Sequence, residues 1–189
     1  MAQENTKQRI LMEALKLFSK EGYEAVSVEQ IANAVGIKAP SLYKHYISKR
    51  EIFNSILRVM EQQDRDNATA CSVPEQAVEL MPEAYAEASV EDLISFSKMQ
   101  FRYWTEDEFA SSFRKMLTIE QYRDVEMNLL YHQYLGSGPL SYVADLLGSQ
   151  DEALLFYGPM HLLYSIYDES EDKAAVLMLF EKHLERWKT

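Results

Sequence analysis

Within eight residues the sequence brings together two ammonium groups (Lys38, Lys44), two hydroxyls (Ser41, Tyr43) and one imidazole (His45). Groups of this kind on one small face do the chemistry of contact. Ammonium and hydroxyl groups can meet phosphate oxygens or the edges of bases. What positions them lies in the window from Ser27 to Phe53, SVEQIANAVGIKAPSLYKHYISKREIF. It reads as a short helix, a tight turn, a second short helix and the cap of a third.

In the first short helix Ile31, Ala32 and Val35 make the inward face, and the small Ala32 lets the second helix cross closely. Gly36 turns the chain with positive φ, a conformation that disfavours other residues. Ile37 plugs the turn. Pro40 sits in the first turn of the second helix, where no intrahelical amide is lost. If Leu42 marks the buried direction, rotation by 100° per residue sets Tyr46 beside it and sends Pro40, Ser41, Tyr43 and Lys44 outward. The outward face is small, polar and basic, as an α-helix needs in order to enter a major groove roughly 12 Å wide. Lys38 stands at the helix entrance. Two alternatives remain open from the sequence: His45 and Tyr46 either contact the polyanion or pack beneath the helix.

The spacing Ser27-Val28-x-x-Ile31-Ala32, then Ala34-x-Gly36-Ile37-x-x-Pro40-Ser41-Leu42-Tyr43-x-His45-Tyr46-x-x-Lys49, resembles the N-terminal signature of TetR-family regulators. It covers about a quarter of the chain. The resemblance implies that Ser27 and Lys49 hold phosphates and that Tyr43 and His45 contact the backbone. It further implies that Lys38, Ala39, Ser41 and Lys44 face the groove. Pro40 stands where many relatives have Gly or Ala. Such a chain is expected to regulate transcription as a homodimer, most often as a repressor on a palindromic operator in double-stranded DNA. A small-molecule effector would bind within the second domain, move the fourth helix and so alter the spacing of the two recognition helices. The alternative is a coactivator or protein-interaction module of the same fold.

Charge distribution agrees with a one-ended approach to a polyanion. The whole chain carries −11, yet residues 1 to 50 hold eight Lys/Arg against five Glu, a net +3. A basic head on an acidic body orients the molecule as it nears DNA.

The elements around this window all read as helical. Six glycines and five prolines are sparse, and no period-2 alternation bounded by turn residues is visible. The expectation is an all-α chain of about nine helices, with a head over 1–48 and a sensing and dimerising domain over 49–189. Candidate capping boxes mark helix starts at Asn5/Gln8, Ser27/Gln30, Ser48/Glu51, Thr105/Glu108, Thr118/Gln121 and Ser149/Glu152. Helix one spans Thr6 to Glu21 and ends at Gly22; helix four starts at Ser48 and passes Met60. Further helices are expected near 90–104, 106–117 and 119–135. A break at Gly136–Pro139 precedes a short helix to Leu147 and two final helices. The stretch 74–89, interrupted by Pro82, reads as short helices or loop.

In the second domain Phe96, Met99, Tyr103, Trp104, Phe113, Met116, Tyr131, Tyr134, Met160, His161 and Tyr164 are candidates to line an effector pocket. Any single one of them reads more readily as core than as ligand wall, and His161 and His132 more readily as imidazoles bonded to a neighbour. An acidic, aromatic-rich body favours a cationic or neutral aromatic effector. Gly158-Pro159 should bend its helix, shaping either a pocket or a dimer seam. The run Ala174 to Phe180 is apolar on all sides, so it needs burial on two faces. Leu154, Tyr157, Val176, Phe180, Leu184 and Trp187 are the residues expected at a two-fold interface.

Other functions find no footing. Catalytic and nucleotide-binding spacings (GxSxG, HExxH, P-loop, GxGxxG after a strand, CxxC) are missing, so no enzyme and no cofactor are expected. The acids from Asp168 to Asp172 read as a solvated helix cap, not a metal site. One cysteine, Cys71, cannot form an intrachain disulfide. No apolar leader or bilayer-length run is present, which leads us to expect a cytoplasmic protein without a membrane partner.

Overall fold

The structure, a computed structural model, describes residues 2–70 and 89–188. Of the stretch read as short helices or loop, residues 74–88, with Pro82, lie outside the described residues, as does Cys71.

Ten helices and no strands occur among the described residues. They are α1 (Ala2–Glu21), α2 (Val28–Val35), α3 (Ala39–Leu42), α4 (Lys49–Ala70), α5 (Val90–Glu106), α6 (Glu108–Glu120), α7 (Val125–Tyr134), α8 (Ser137–Leu147), α9 (Gln150–Glu169) and α10 (Lys173–Glu185). The all-α reading holds, and α3 is a single turn.

Caps explain most starts. Ser27 and Gln30 form the full reciprocal box. Ser48 and Ser149 each accept from the amide three residues on. Asn5 does not cap, because α1 already begins at Ala2. Thr105 and Thr118 do not cap either. Their hydroxyls donate back to the carbonyls of Phe101 at 2.7 Å and Arg114 at 2.8 Å, inside α5 and α6. A threonine can satisfy itself on the i−4 carbonyl, so its spacing to a Glu or Gln is ambiguous. The helix expected from 119 therefore starts at Val125, where Asp124 accepts from the Met127 amide. Ser89 with Asp92 caps α5, an aspartate serving in place of Glu or Gln. α9 runs on through Gly158-Pro159 without a break. Pro159 lacks the amide that would meet the Leu155 carbonyl, so one rung of the ladder is missing there.

The chain divides into two compact units, Met1–Asn67 with Phe109–Tyr131, and Ala68–Glu108 with His132–Thr189. A division at residue 48 would cut α4 away from the head, whereas the first unit keeps α4 to Asn67 and adds α6 and most of α7. Its buried residues include Ile10, Ala14, Leu15 and Phe18 from α1, Ile31 and Val35 from α2, and Leu42 from α3. From α4 and α6 come Ile52, Phe53, Ile56, Phe113, Met116 and Leu117. Tyr23 joins the helices there, its ring 5.1 Å from Phe18 and 5.3 Å from Phe53.

The second unit centres on Phe101, which stacks on Phe180 at 4.2 Å and on Tyr164 at 5.1 Å. Leu93, Trp104, Val143, Phe156, Met160, Val176 and Leu184 are also buried there.

Gly36 has φ +77°, and a Cβ built on it would meet nothing within 4 Å. Its substitution by Ala therefore tests backbone strain alone. Gly36→Ala should destabilise the head by about 1–2 kcal/mol, the cost of a left-handed L-residue. A lower urea midpoint with unchanged slope would show this, and an unshifted midpoint would contradict it.

Candidate nucleic-acid interface

Two chain reversals build the site. Ser27 Oγ accepts from the Gln30 amide at 3.2 Å while Gln30 Oε1 accepts from the Ser27 amide at 2.7 Å, setting the start of α2. At the other end the Gly36 amide donates to Asn33 and the Ile37 amide to Ala32, a Schellman arrangement that closes α2 and aims the chain into α3. Arg9 of α1 donates to the Val35 carbonyl at 2.7 Å, serving an orphan group at that same helix end.

Leu42 is fully buried, as is Ile31 on the facing helix, and Tyr46 lies beside Leu42 in the core. Burial also raises the Tyr46 phenol above its ordinary pKa. Tyr46 thus belongs beneath the helix. On the opposite side Lys38, Pro40, Tyr43 and Lys44 are exposed, and Ala39 and Ser41 are half-buried. Pro40 lies in the first turn of α3 and Lys38 is its N-cap residue, making no side-chain cap bond. Neither Lys38 nor Lys44 makes an ion pair or side-chain hydrogen bond among the described residues, and both are exposed to water.

Residues 10–56 match the family profile described as bacterial regulatory proteins, tetR family. Over these residues the head resembles the tetR family. Over 47 residues it is 43% identical to the HTH-type transcriptional regulator TcmR of Streptomyces glaucescens, which is 25% of this chain and 21% of that protein. The same identity over 47 residues links it to the biofilm operon icaADBC negative transcriptional regulator IcaR of Staphylococcus epidermidis, 25% of each chain. The match thus spans only about a quarter of these relatives' length. The whole fold is shared more widely. A transcriptional regulator of Aquifex aeolicus superposes with TM-score 0.65 at 16% identity, covering 96% of this chain and 98% of that one. The fatty acid degradation regulator FadR of Bacillus halodurans gives 0.62 at 16%, covering 96% and 94%.

Within this head the expected contact residues separate into two groups. Lys38, Ala39, Ser41, Tyr43 and Lys44 share the outer face, and Ser27 is exposed at the N-terminus of α2. His45 and Lys49 do not join that face freely. His45 is half-buried, with its Nδ1 buried and unpartnered. Lys49 Nζ donates to the carbonyls of Tyr23 at 2.8 Å and Glu24 at 3.3 Å and lies 4.4 Å from the Tyr23 ring centre. Its ammonium is committed to the protein. Arg9, which the sequence reading did not single out, acts across 26 residues; no local pattern signals such a contact.

The candidate effector residues are distributed over both units. Phe113 and Met116 are fully buried in the first, where Tyr131 is half-buried. In the second, Trp104, Met160 and Tyr164 are core, and Phe96, Met99, Tyr103, Tyr134 and His161 are half-buried. Of the candidate interface residues, Tyr157, Val176, Phe180 and Leu184 are buried inside their own unit, and the Tyr157 hydroxyl donates to the Leu135 carbonyl at 2.8 Å. They form the inner stripe of α9 and α10. Trp187 is half-buried, its ring 5.3 Å from Phe156. Leu154 alone of the six is exposed, on a face shared with Leu155, Leu162 and Ile166 of α9. Met178 and Leu179 are exposed on α10.

Burial lowers the His161 pKa, partly offset by its hydrogen bond to the Leu135 carbonyl. The unfolded imidazole takes up its proton near pH 6.5, ahead of the folded one. Stability contributed by His161 is therefore present above that pH and lost as pH falls through it. Urea midpoints of the wild type between pH 7.5 and 5 should drop more than those of His161→Phe. Parallel profiles for the two proteins would contradict this.

Proposed function

We propose that the chain is a sequence-specific DNA-binding transcriptional regulator that acts as a homodimer. One observation carries the reading: a turn of helix anchored by Leu42 presents Lys38, Ser41, Tyr43 and Lys44 outward, with both ammonium groups unpaired. Free cations gain most from displacing counterions on a duplex. The name of IcaR, a negative regulator, favours repression as the mode.

A second copy is favoured by the outer faces of α9 and α10. Leu154, Leu155, Leu162, Ile166, Met178 and Leu179 are 40–69% exposed, although both helices already bury an opposite stripe. Such a strip costs free energy in water and is unusual on a monomer. Pairing it about a two-fold axis would join four helices and present two recognition turns, which can read half-sites about 34 Å apart on one duplex. A small-molecule effector would act on this dimer from the aromatic-rich second unit, where Phe96, Tyr103, Tyr134 and His161 are only partly covered.

Fluorescence anisotropy with a duplex from upstream of the chain's own gene tests DNA binding. Affinity should fall steeply between 50 and 200 mM salt, and Lys44→Ala should reduce the salt slope by roughly one. Absence of any salt-sensitive complex would refute the reading. Leu162→Glu combined with Met178→Glu should convert a dimer to a monomer in sedimentation at micromolar concentration. A wild type that is already monomeric, or a double variant that remains dimeric, would rule out this interface.

A further inference from the structure

The junction between α1 and α2 is gripped from two sides by side chains distant in sequence. Glu120, the last residue of α6, is 1% exposed, and its Oε1 accepts from the Tyr23 amide at 3.1 Å. On the opposite edge of the same residue, Lys49 at the start of α4 donates to the Tyr23 carbonyl. Gly22 makes room for the carboxylate: it has φ +90°, and a Cβ there would stand 2.3 Å from Glu120 Oε1. A second tie runs alongside, where Arg50 of α4 grips Glu126 of α7 through two bonds of 2.7 and 2.6 Å.

Stability alone does not explain Glu120. Its Oε2 is buried without a partner, and the nearest cation, Arg123, sits 3.4 Å from Oε1 with most of its side chain in water. A buried carboxylate with one oxygen unpaired is a costly way to hold a single amide, although removing it would strand the Tyr23 N–H. A carboxylate offers what an apolar group cannot, a strong and directional acceptor for one amide.

We propose that Glu120 is a positioning residue for the DNA-facing turn: through the Tyr23 peptide it locks the end of α6 to the α1–α2 junction. The head then takes its orientation from α6 and α7 as well as from α4. Because α6 follows α5 after the single residue Asp107, displacement of α5 has a covalent route into this lock. The inference rests on the DNA-binding reading of the head.

Glu120→Met and Glu120→Gln in the full chain form the test. Methionine fills the volume without an acceptor, and glutamine keeps an acceptor oxygen. Amide exchange at Tyr23 should accelerate roughly tenfold in Glu120→Met, with the α1 and α2 amides still protected, and stay near wild type in Glu120→Gln. Affinity for the upstream duplex should fall roughly tenfold in Glu120→Met and be largely retained in Glu120→Gln, with a lowered urea midpoint in Glu120→Met but both variants fully folded under the binding conditions. Unchanged exchange at Tyr23 in Glu120→Met would overturn the lock. Faster exchange with unchanged affinity would overturn the positioning role and leave DNA binding standing. If the wild type forms no salt-sensitive complex, the DNA-binding reading fails and the positioning role with it.

Discussion

A single turn of helix has no stability of its own, because fixing its first residues costs more than one hydrogen bond returns. α3 is such a turn, and the outward face depends on what holds it. Leu42 and Tyr46 supply that hold by burial, and the Schellman closure at Gly36 and Ile37 determines the direction in which the turn starts. The two are interdependent. Without the glycine's positive φ the chain would not bring Leu42 over Ile31, and without Leu42 the turn would have nothing to keep it helical.

The charge of the head is distributed unevenly between scaffold and surface. Of its eight basic residues, Arg9 serves the Val35 carbonyl, Lys49 serves Tyr23 and Glu24, and Arg50 pairs with Glu126. Those cations do internal work at helix ends and at a chain reversal. Lys16 pairs with Glu13 and Lys7 lies over the Tyr46 ring, so at the outward turn it is Lys38 and Lys44 that are left for an external anion. A count of charges registers both kinds alike, because the difference lies in whether a carbonyl or carboxylate from elsewhere reaches the ammonium group. The same holds for Lys49: its place in the motif implies phosphate, and its geometry gives it two carbonyls.

In the second unit the final helices are apolar on two sides, and their division into stripes follows from packing. Phe180 turns inward because it stacks on Phe101, which also carries Tyr164. Val176 and Leu184 follow it at helical spacing, leaving Met178 and Leu179 outward. An all-round apolar helix has no preferred direction in its pattern, so assigning Val176, Phe180 and Leu184 to an interface and assigning them to the core were equally consistent with the sequence.

Local rules decided what the sequence determined by itself: the helical class, the capping box at Ser27, the turn at Gly36, and the inward Leu42 with the basic face opposite. Each depends on residues within about one or two helical turns of one another, where spacing and stereochemistry suffice. Tertiary structure decided the rest. It made Thr105 and Thr118 interior rather than capping, drew α6 and α7 into the head unit, and joined Tyr23 to Glu120 across 97 residues. Such contacts are chosen by which surfaces meet when the chain closes, and no short-range pattern encodes a meeting of that kind.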